Sequence, residues 1–148
     1  MFGELSELYQ EVILDHSRQP RNFRVLDGAN HQAQGANPLC GDQLTLYVDL
    51  AGEVVRDISF KGAGCAIAKA SASLMTTSLK GKTRAEARAL AARFRELVLA
   101  GKSDFSNSDK LAAFAGVHKF PARVKCAMLA WRTLEAALTE SPERVSTE

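Results

Sequence analysis

The chain has no apolar run approaching the roughly 20 residues a helix needs to cross a bilayer, which argues against a membrane-spanning protein. It also lacks the start of a secretory leader: Glu4 and Glu7 stand where a basic segment would be, and the apolar positions are interrupted. Charge of one sign is scarce. Nineteen Lys and Arg oppose 17 Asp and Glu, and a net +2 does not argue for nucleic acid. The runs Arg18, Arg21, Arg24 and Lys119, Arg123, Lys125 read as solvated faces. There is no internal repeat, low-complexity tract or linker. Gly62-Ala63-Gly64 lacks the Lys-Ser/Thr that would follow in a phosphate loop, so no nucleotide site is read there. Cysteines number only three, an odd count that cannot pair completely, and none belongs to a Cys-x-x-Cys.

What is present suits one folded unit. A chain of 148 residues buries roughly 68–70% of its unfolded surface and does not depend on disulfides. The expected compartment is the cytoplasm, where thiols stay reduced and are free, metal-bound or reactive. Leu5, Leu8, Tyr9, Val12, Ile13 and His16 recur at helical spacing, predicting a helix over residues 4–17 that Pro20 ends. The polar stretch that follows, through Asn37 and Pro38, reads as an irregular loop of a length often given to function. Leu44, Leu46, Val48 and Leu50 alternate with polar neighbours as in a half-buried strand. After a turn at Ala51-Gly52-Glu53, residues 54–61 form its hairpin partner, with Ile58 and Phe60 on one face.

The small residues of 66–79 predict a helix that lets another backbone approach closely. Thr83 with Glu86 forms a capping box opening a helix to about Ala100. Residues 101–116 read as polar and broken, with one helical turn around Leu111–Phe114. Pro121 starts a last helix, whose core stripe is Val124, Met128, Trp131 and Leu138. Helix, hairpin, then helices is an α+β order. It predicts one domain over residues 1–140 and a flexible tail over 141–148.

The cysteines stand at positions where backbone geometry favours exposure. Gly41 permits a tight turn that brings Cys40 and Asp42 to one point. Cys65 follows a glycine pair and opens a helix, where free N–H groups and the helix dipole favour a thiolate. Cys126 lies about 200° around its helix from Val124, away from the core stripe and on the side of Arg123. Three thiolates and a carboxylate suit tetrahedral Zn²⁺, and thiolates equally suit an iron–sulfur cluster. The carboxylate is the harder, less usual ligand, so such a site can open and free a cysteine to act as nucleophile. Against this, a lone cysteine is ordinarily a small buried hydrophobe, and Asp42 alone is an ordinary turn residue. The gaps of 24 and 60 residues between cysteines fit no local zinc-finger pattern. His16, His31 and His118 are alternative ligands that read rather as surface or core residues.

Four segments in order resemble the SufU branch of the IscU/NifU-like iron–sulfur assembly proteins, over about Leu8 to Leu138. They run Leu8 to His16, Asn37 to Asp42, Gly62 to Ser73 and Phe120 to Ala127. The resemblance implies a SufE/NifU-like α+β fold, a short antiparallel sheet packed against helices. It implies Zn²⁺ on Cys40, Asp42, Cys65 and Cys126, and Cys40 as acceptor of persulfide sulfur from a PLP-dependent, SufS-like cysteine desulfurase. Sulfur would pass to a SufBCD-like cluster-building complex, with no nucleic acid or membrane involved. Arg123 matches a position near the site and would steady a thiolate or persulfide by its fixed charge. IscU-type scaffolds usually carry a His before the third cysteine, where this chain has Lys125. The segment between Cys65 and Cys126 is also longer, by about the helix opening at Thr83. Both departures resemble SufU and favour sulfur transfer. The competing expectations are a scaffold for a transient iron–sulfur cluster on the same ligands, and a zinc domain that only mediates contacts.

Overall fold

In the computed structural model, residues 4–101, 105–106, 109–139 and 145–147 are described, with side chains from residue 10 onward. The alternation of Leu44, Leu46, Val48 and Leu50 produces β2 (Asp42–Ala51), with those four side chains buried on one face. The chain reverses at Gly52, whose φ of +63° suits glycine. It returns as β3 (Val54–Ala63), antiparallel to β2, with Leu46 opposite Phe60 and Val48 opposite Ile58.

The stretch read as an irregular loop contains a third strand, β1 (His31–Asn37), antiparallel to β2. Its inward positions are Ala33, Gly35 and Asn37, too small or polar to register as an apolar alternation. Their smallness is a packing requirement: a Cβ at Gly35 would lie inside contact distance of Thr133 Oγ1 and 3.0 Å from Leu129 Cδ1. Of the stretch 141–148 expected as a tail, residues 141–144 and 148 lie outside the described residues. Val145–Ser146 forms β4, parallel to β1, and the Thr147 N–H donates to Ala36 O at 3.1 Å. Paired backbone groups and the free edge of β1 account for this order. The sheet order is β3-β2-β1-β4.

The helices cover the face bearing Leu46. They are α1 (Glu4–Arg18), α2 (Ala66–Leu79), α3 (Arg84–Ala100) and α4 (Pro121–Leu138), with a 3-10 helix at Lys110–Lys119 longer than the single turn expected. Val12 and Ile13 pack on the core and His16 is buried, whereas the side chains of Leu5, Leu8 and Tyr9 lie outside the described residues. The Thr83–Glu86 capping box forms, and Gly101 ends α3 at φ +71°. The small face of α2 does admit a neighbour: the Ser71 hydroxyl donates to Ala127 O of α4 at 2.6 Å and accepts from Trp131 Nε1 at 3.1 Å. Trp131 stacks on Phe94 of α3 with centroids 4.7 Å apart. Buried on nearly every side, α4 is the axis of the fold. Among the described residues no helix is long and apolar enough to cross a membrane.

Candidate metal centre

Asn37 closes β1 and Asp42 opens β2, and the two are paired across the sheet. The link between them is a tight turn: Cys40 N–H donates to Asn37 O at 3.2 Å, and Gly41 takes φ +71°. Cys40 sits exposed on this turn, as the glycine predicted. Asp42 is 1% exposed and held from two sides. Its Oδ1 accepts the Cys65 N–H at 2.8 Å and its Oδ2 accepts Asn37 Nδ2 at 3.3 Å. Gly64 makes the first contact possible, because a Cβ there would lie 2.5 Å from Asp42 Oδ1.

Cys65 is the N-cap of α2; its Sγ accepts the Ala68 N–H at 3.5 Å and lies 3.8 Å from Asp42 Oδ2. Cys126, in the second turn of α4, is fully buried, not exposed as its helical angle suggested. The reason is tertiary: the β1–β2 turn folds over that side of α4, putting Cys40 Sγ 3.3 Å from Cys126 Sγ and Asn37 Nδ2 3.4 Å from it.

One ligand atom each from Cys40, Asp42 and Cys126 lie within 4.8 Å of one another; Cys65 is not part of that group, although its Sγ is 3.8 Å from Asp42 Oδ2. Ligands about 2.3 Å from a tetrahedral zinc stand about 3.8 Å apart, so the spacing fits. The electrostatics agree. Burial pushes the Cys126 thiol well above its usual range, and the neighbouring Cys40, Asp42 and Cys65 groups push it further. Acidic groups so placed, with no basic side chain among them, suit a cation that lets the thiols ionise.

Arg123 is exposed on the first turn of α4, and among the described residues its guanidinium makes no hydrogen bond with Cys40, Asp42 or Cys126. None of the histidines joins the group. His16 bonds Ser73 Oγ at 2.7 Å, and His118 bonds Ala115 O at 2.7 Å. Sequence reasoning missed Asn37, which ties Asp42 and Cys126 together from a fully buried position. No local pattern marked it, because the inward positions it shares with Ala33 and Gly35 carry no apolar alternation.

Thiols and a carboxylate gathered at one corner of a small α+β sheet form a candidate site for a metal ion. Comparison with known proteins makes this specific. The NifU-like N terminal domain profile matches residues 8–127. The chain is 40% identical over 139 residues to the zinc-dependent sulfurtransferase SufU of Bacillus subtilis, covering 93% of this chain and 94% of that one. It is 40% identical over 140 residues to the iron–sulfur cluster assembly scaffold protein IscU of Streptococcus pyogenes, covering 94% and 87%. The crystal structure of a putative iron–sulfur cluster assembly scaffold protein for the SUF system from Fervidobacterium islandicum superimposes with a TM-score of 0.82 at 34% identity, covering 92% and 99%. The chain therefore belongs to the IscU/NifU-like iron–sulfur cluster assembly family, and its α+β fold is that of the family.

Proposed function

We propose that the chain accepts persulfide sulfur on Cys40 from a PLP-dependent, SufS-like cysteine desulfurase and relays it to a SufBCD-like cluster-building complex. The observation that carries this reading is the unequal burial of the candidate ligands. Cys40 is exposed on a turn, while Asp42 and Cys126 are anchored in the interior. One cysteine can meet a partner while the others hold their places. The relative described as a zinc-dependent sulfurtransferase supports it. So do the presence of α3 between Cys65 and Cys126 and of Lys125 before Cys126.

In the proposed step the Cys40 thiolate attacks the terminal sulfur of the donor persulfide. A new S–S bond forms on Cys40, the donor S–S bond breaks, and the donor cysteine leaves as thiolate, so no external oxidant or reductant is needed. Asp42, Cys65 and Cys126 complete the proposed Zn²⁺ site with Cys40. Bound there, the ion supplies positive charge that keeps the thiols ionised. Arg123, one turn before Cys126, is assigned the charge of the incoming persulfide. The reading places the protein in the cytoplasm.

Cys40→Ala is expected to abolish stimulation of the desulfurase while the far-ultraviolet circular dichroism is unchanged. Full stimulation by that variant would remove the acceptor role.

A second reading, a scaffold for a transient iron–sulfur cluster on the same ligands, is favoured by the IscU relative. Anaerobic reconstitution with iron and sulfide separates the two: a stable, transferable chromophore at stoichiometric yield would select the scaffold.

A further inference from the structure

Residues of α3, α4 and the 3-10 helix, with Thr147 after β4, line a cleft of about 380 Å³. It has an apolar floor, from Leu99, Val124 and Met128, and a rim of fixed positive charge, from Arg95, Lys125 and Arg132. Leu99 is 51% exposed, and Arg95 and Arg132 are also exposed. Elsewhere the arginines mostly have partners: Arg21 with Asp15, Arg24 with Asp57, Arg56 with Asp49, Arg84 with Glu53, Arg88 with Glu135. Among the described residues Arg95, Lys125 and Arg132 have no such ion pair, and no carboxylate lines the cleft.

We infer that this cleft is the docking surface for an acidic segment of the sulfur-donating partner, one that carries an apolar side chain between its carboxylates. The inference rests on the sulfur-acceptor reading. Three cations converging on an apolar floor attract a segment of opposite charge and then reward burial of a hydrophobic side chain at its centre. Position argues for the sulfur donor as occupant. Lys125 and Val124 line the cleft from the same turns of α4 that carry Cys126, with Val124 about 200° around the helix from it, and Cys126 Sγ is 3.3 Å from Cys40 Sγ. A segment seated here anchors its parent protein across α4 from the candidate metal centre, at the level of the turns that carry Cys126. The surface is built partly from α3, the helix that lengthens the Cys65–Cys126 segment, which gives that helix a recognition role.

The test uses the full chain with its metal, a partner cysteine desulfurase, and the double variant Arg95→Glu/Arg132→Glu. Both side chains are exposed and stand outside the metal centre, so folding and metal content are checked as controls. With wild type, desulfurase stimulation is expected to saturate. The double variant should need about tenfold more protein for half-saturation at low salt. The difference should shrink toward 0.5 M salt, as the screening length drops to a few Å. Persulfide loading of Cys40 from a small-molecule persulfide should be the same in both proteins, which shows that the loss is in docking. Arg95→Gln/Arg132→Gln should fall between them. Equal half-saturation for wild type and the Glu variant would overturn the docking surface while leaving the acceptor reading intact. A salt-independent loss, or an equal loss with the small-molecule donor, would also overturn it. Failure of the wild type to respond to any desulfurase, with Cys40 unloaded, would overturn both.

Discussion

The position that most directly tests how the sheet supports the candidate metal centre is Gly35, at the middle of β1 and two residues before Asn37. Its backbone is not in the left-handed region, so any cost of a side chain there is steric. In Gly35→Ala the new methyl would overlap Thr133 Oγ1 and press on Leu129 Cδ1 at 3.0 Å. Thr133 cannot simply turn aside. Its hydroxyl donates to Leu129 O at 2.7 Å, and a β-branched side chain that rotates Oγ1 away swings its methyl instead. Restricting the unfolded chain would favour alanine by about 0.4–1 kcal/mol. Overpacking costs about 1–3 kcal/mol, and loss of the hydroxyl's hydrogen bond about 1 more. The balance predicts a destabilisation of about 1–3 kcal/mol. Urea unfolding should show a lower midpoint at unchanged slope. Because the displaced strand carries Asn37, a metal ion bound at the candidate centre should also be lost to a competing chelator more readily. Thr133→Ala removes the principal clash, so the double variant should recover at least about 1 kcal/mol relative to additivity. Additive losses, or a Gly35→Ala protein as stable as wild type, would refute the account of why β1 is built from small residues.

Two further outcomes follow from the same geometry. His16 is 3% exposed, and burial, with the charges of Arg21 and Lys110, lowers its pKa from 6.5 to about 4, only partly offset by Asp15. The unfolded chain therefore binds a proton that the folded chain refuses between these values. Stability should be unaffected by this group above pH 6.5, and should fall as pH drops toward 4 by at most about 1.4 kcal/mol per pH unit, about 3 kcal/mol in all. Urea midpoints measured with chelator present should show this slope in wild type and lose most of it in His16→Gln; an unchanged slope would reject the assignment. Removal of metal by a chelator should leave the far-ultraviolet circular dichroism in place, since the core is closed by β2, α2 and α4 without it. The thermal midpoint should drop, at about 4 °C per kcal/mol of lost binding energy. Global unfolding on chelation would show that the site, not the core, holds the fold.

Elements whose burial follows a period were legible in the sequence. The alternation in β2, the capping box of α3 and Pro121 at the start of α4 each carry a local signal, and the structure places those elements there. β1 was not legible, because its inward residues are an alanine, a glycine and an asparagine chosen by their neighbours on α4 and in the metal centre. β4 was hidden for a related reason: two residues pairing with a free edge leave no pattern. At the site, Cys40 with Asp42 could be read from Gly41, and the four matching segments supplied the rest of the candidate set. The burial of Cys126 could not be read, since a helical angle locates a side chain relative to its own helix and says nothing of a turn arriving from 86 residues away. Asn37 escaped for the same reason: its two partners lie 5 and 89 residues off.

The way the four candidate ligands are held bears on how such a site could release one of them. Asp42 is fixed by the Cys65 N–H, by Asn37 and by the ladder of β2, and moving it would disturb three segments. Cys126 is fixed by its place in α4, which is buried on nearly every side from that residue onward. Cys65 is fixed by capping α2. Among the described residues Cys40 is held by the turn Pro38–Gly41, where its own N–H bonds Asn37 O, and by the Cys126 thiol at 3.3 Å from its Sγ, while its side chain is exposed. Displacing Cys40 would therefore break little beyond one turn, whereas displacing any other would open the core or the sheet. A closed structural zinc site has no need of such inequality among its ligands. A sulfur acceptor does, because its nucleophile must leave the metal, meet a donor and return while the remaining ligands keep the site assembled.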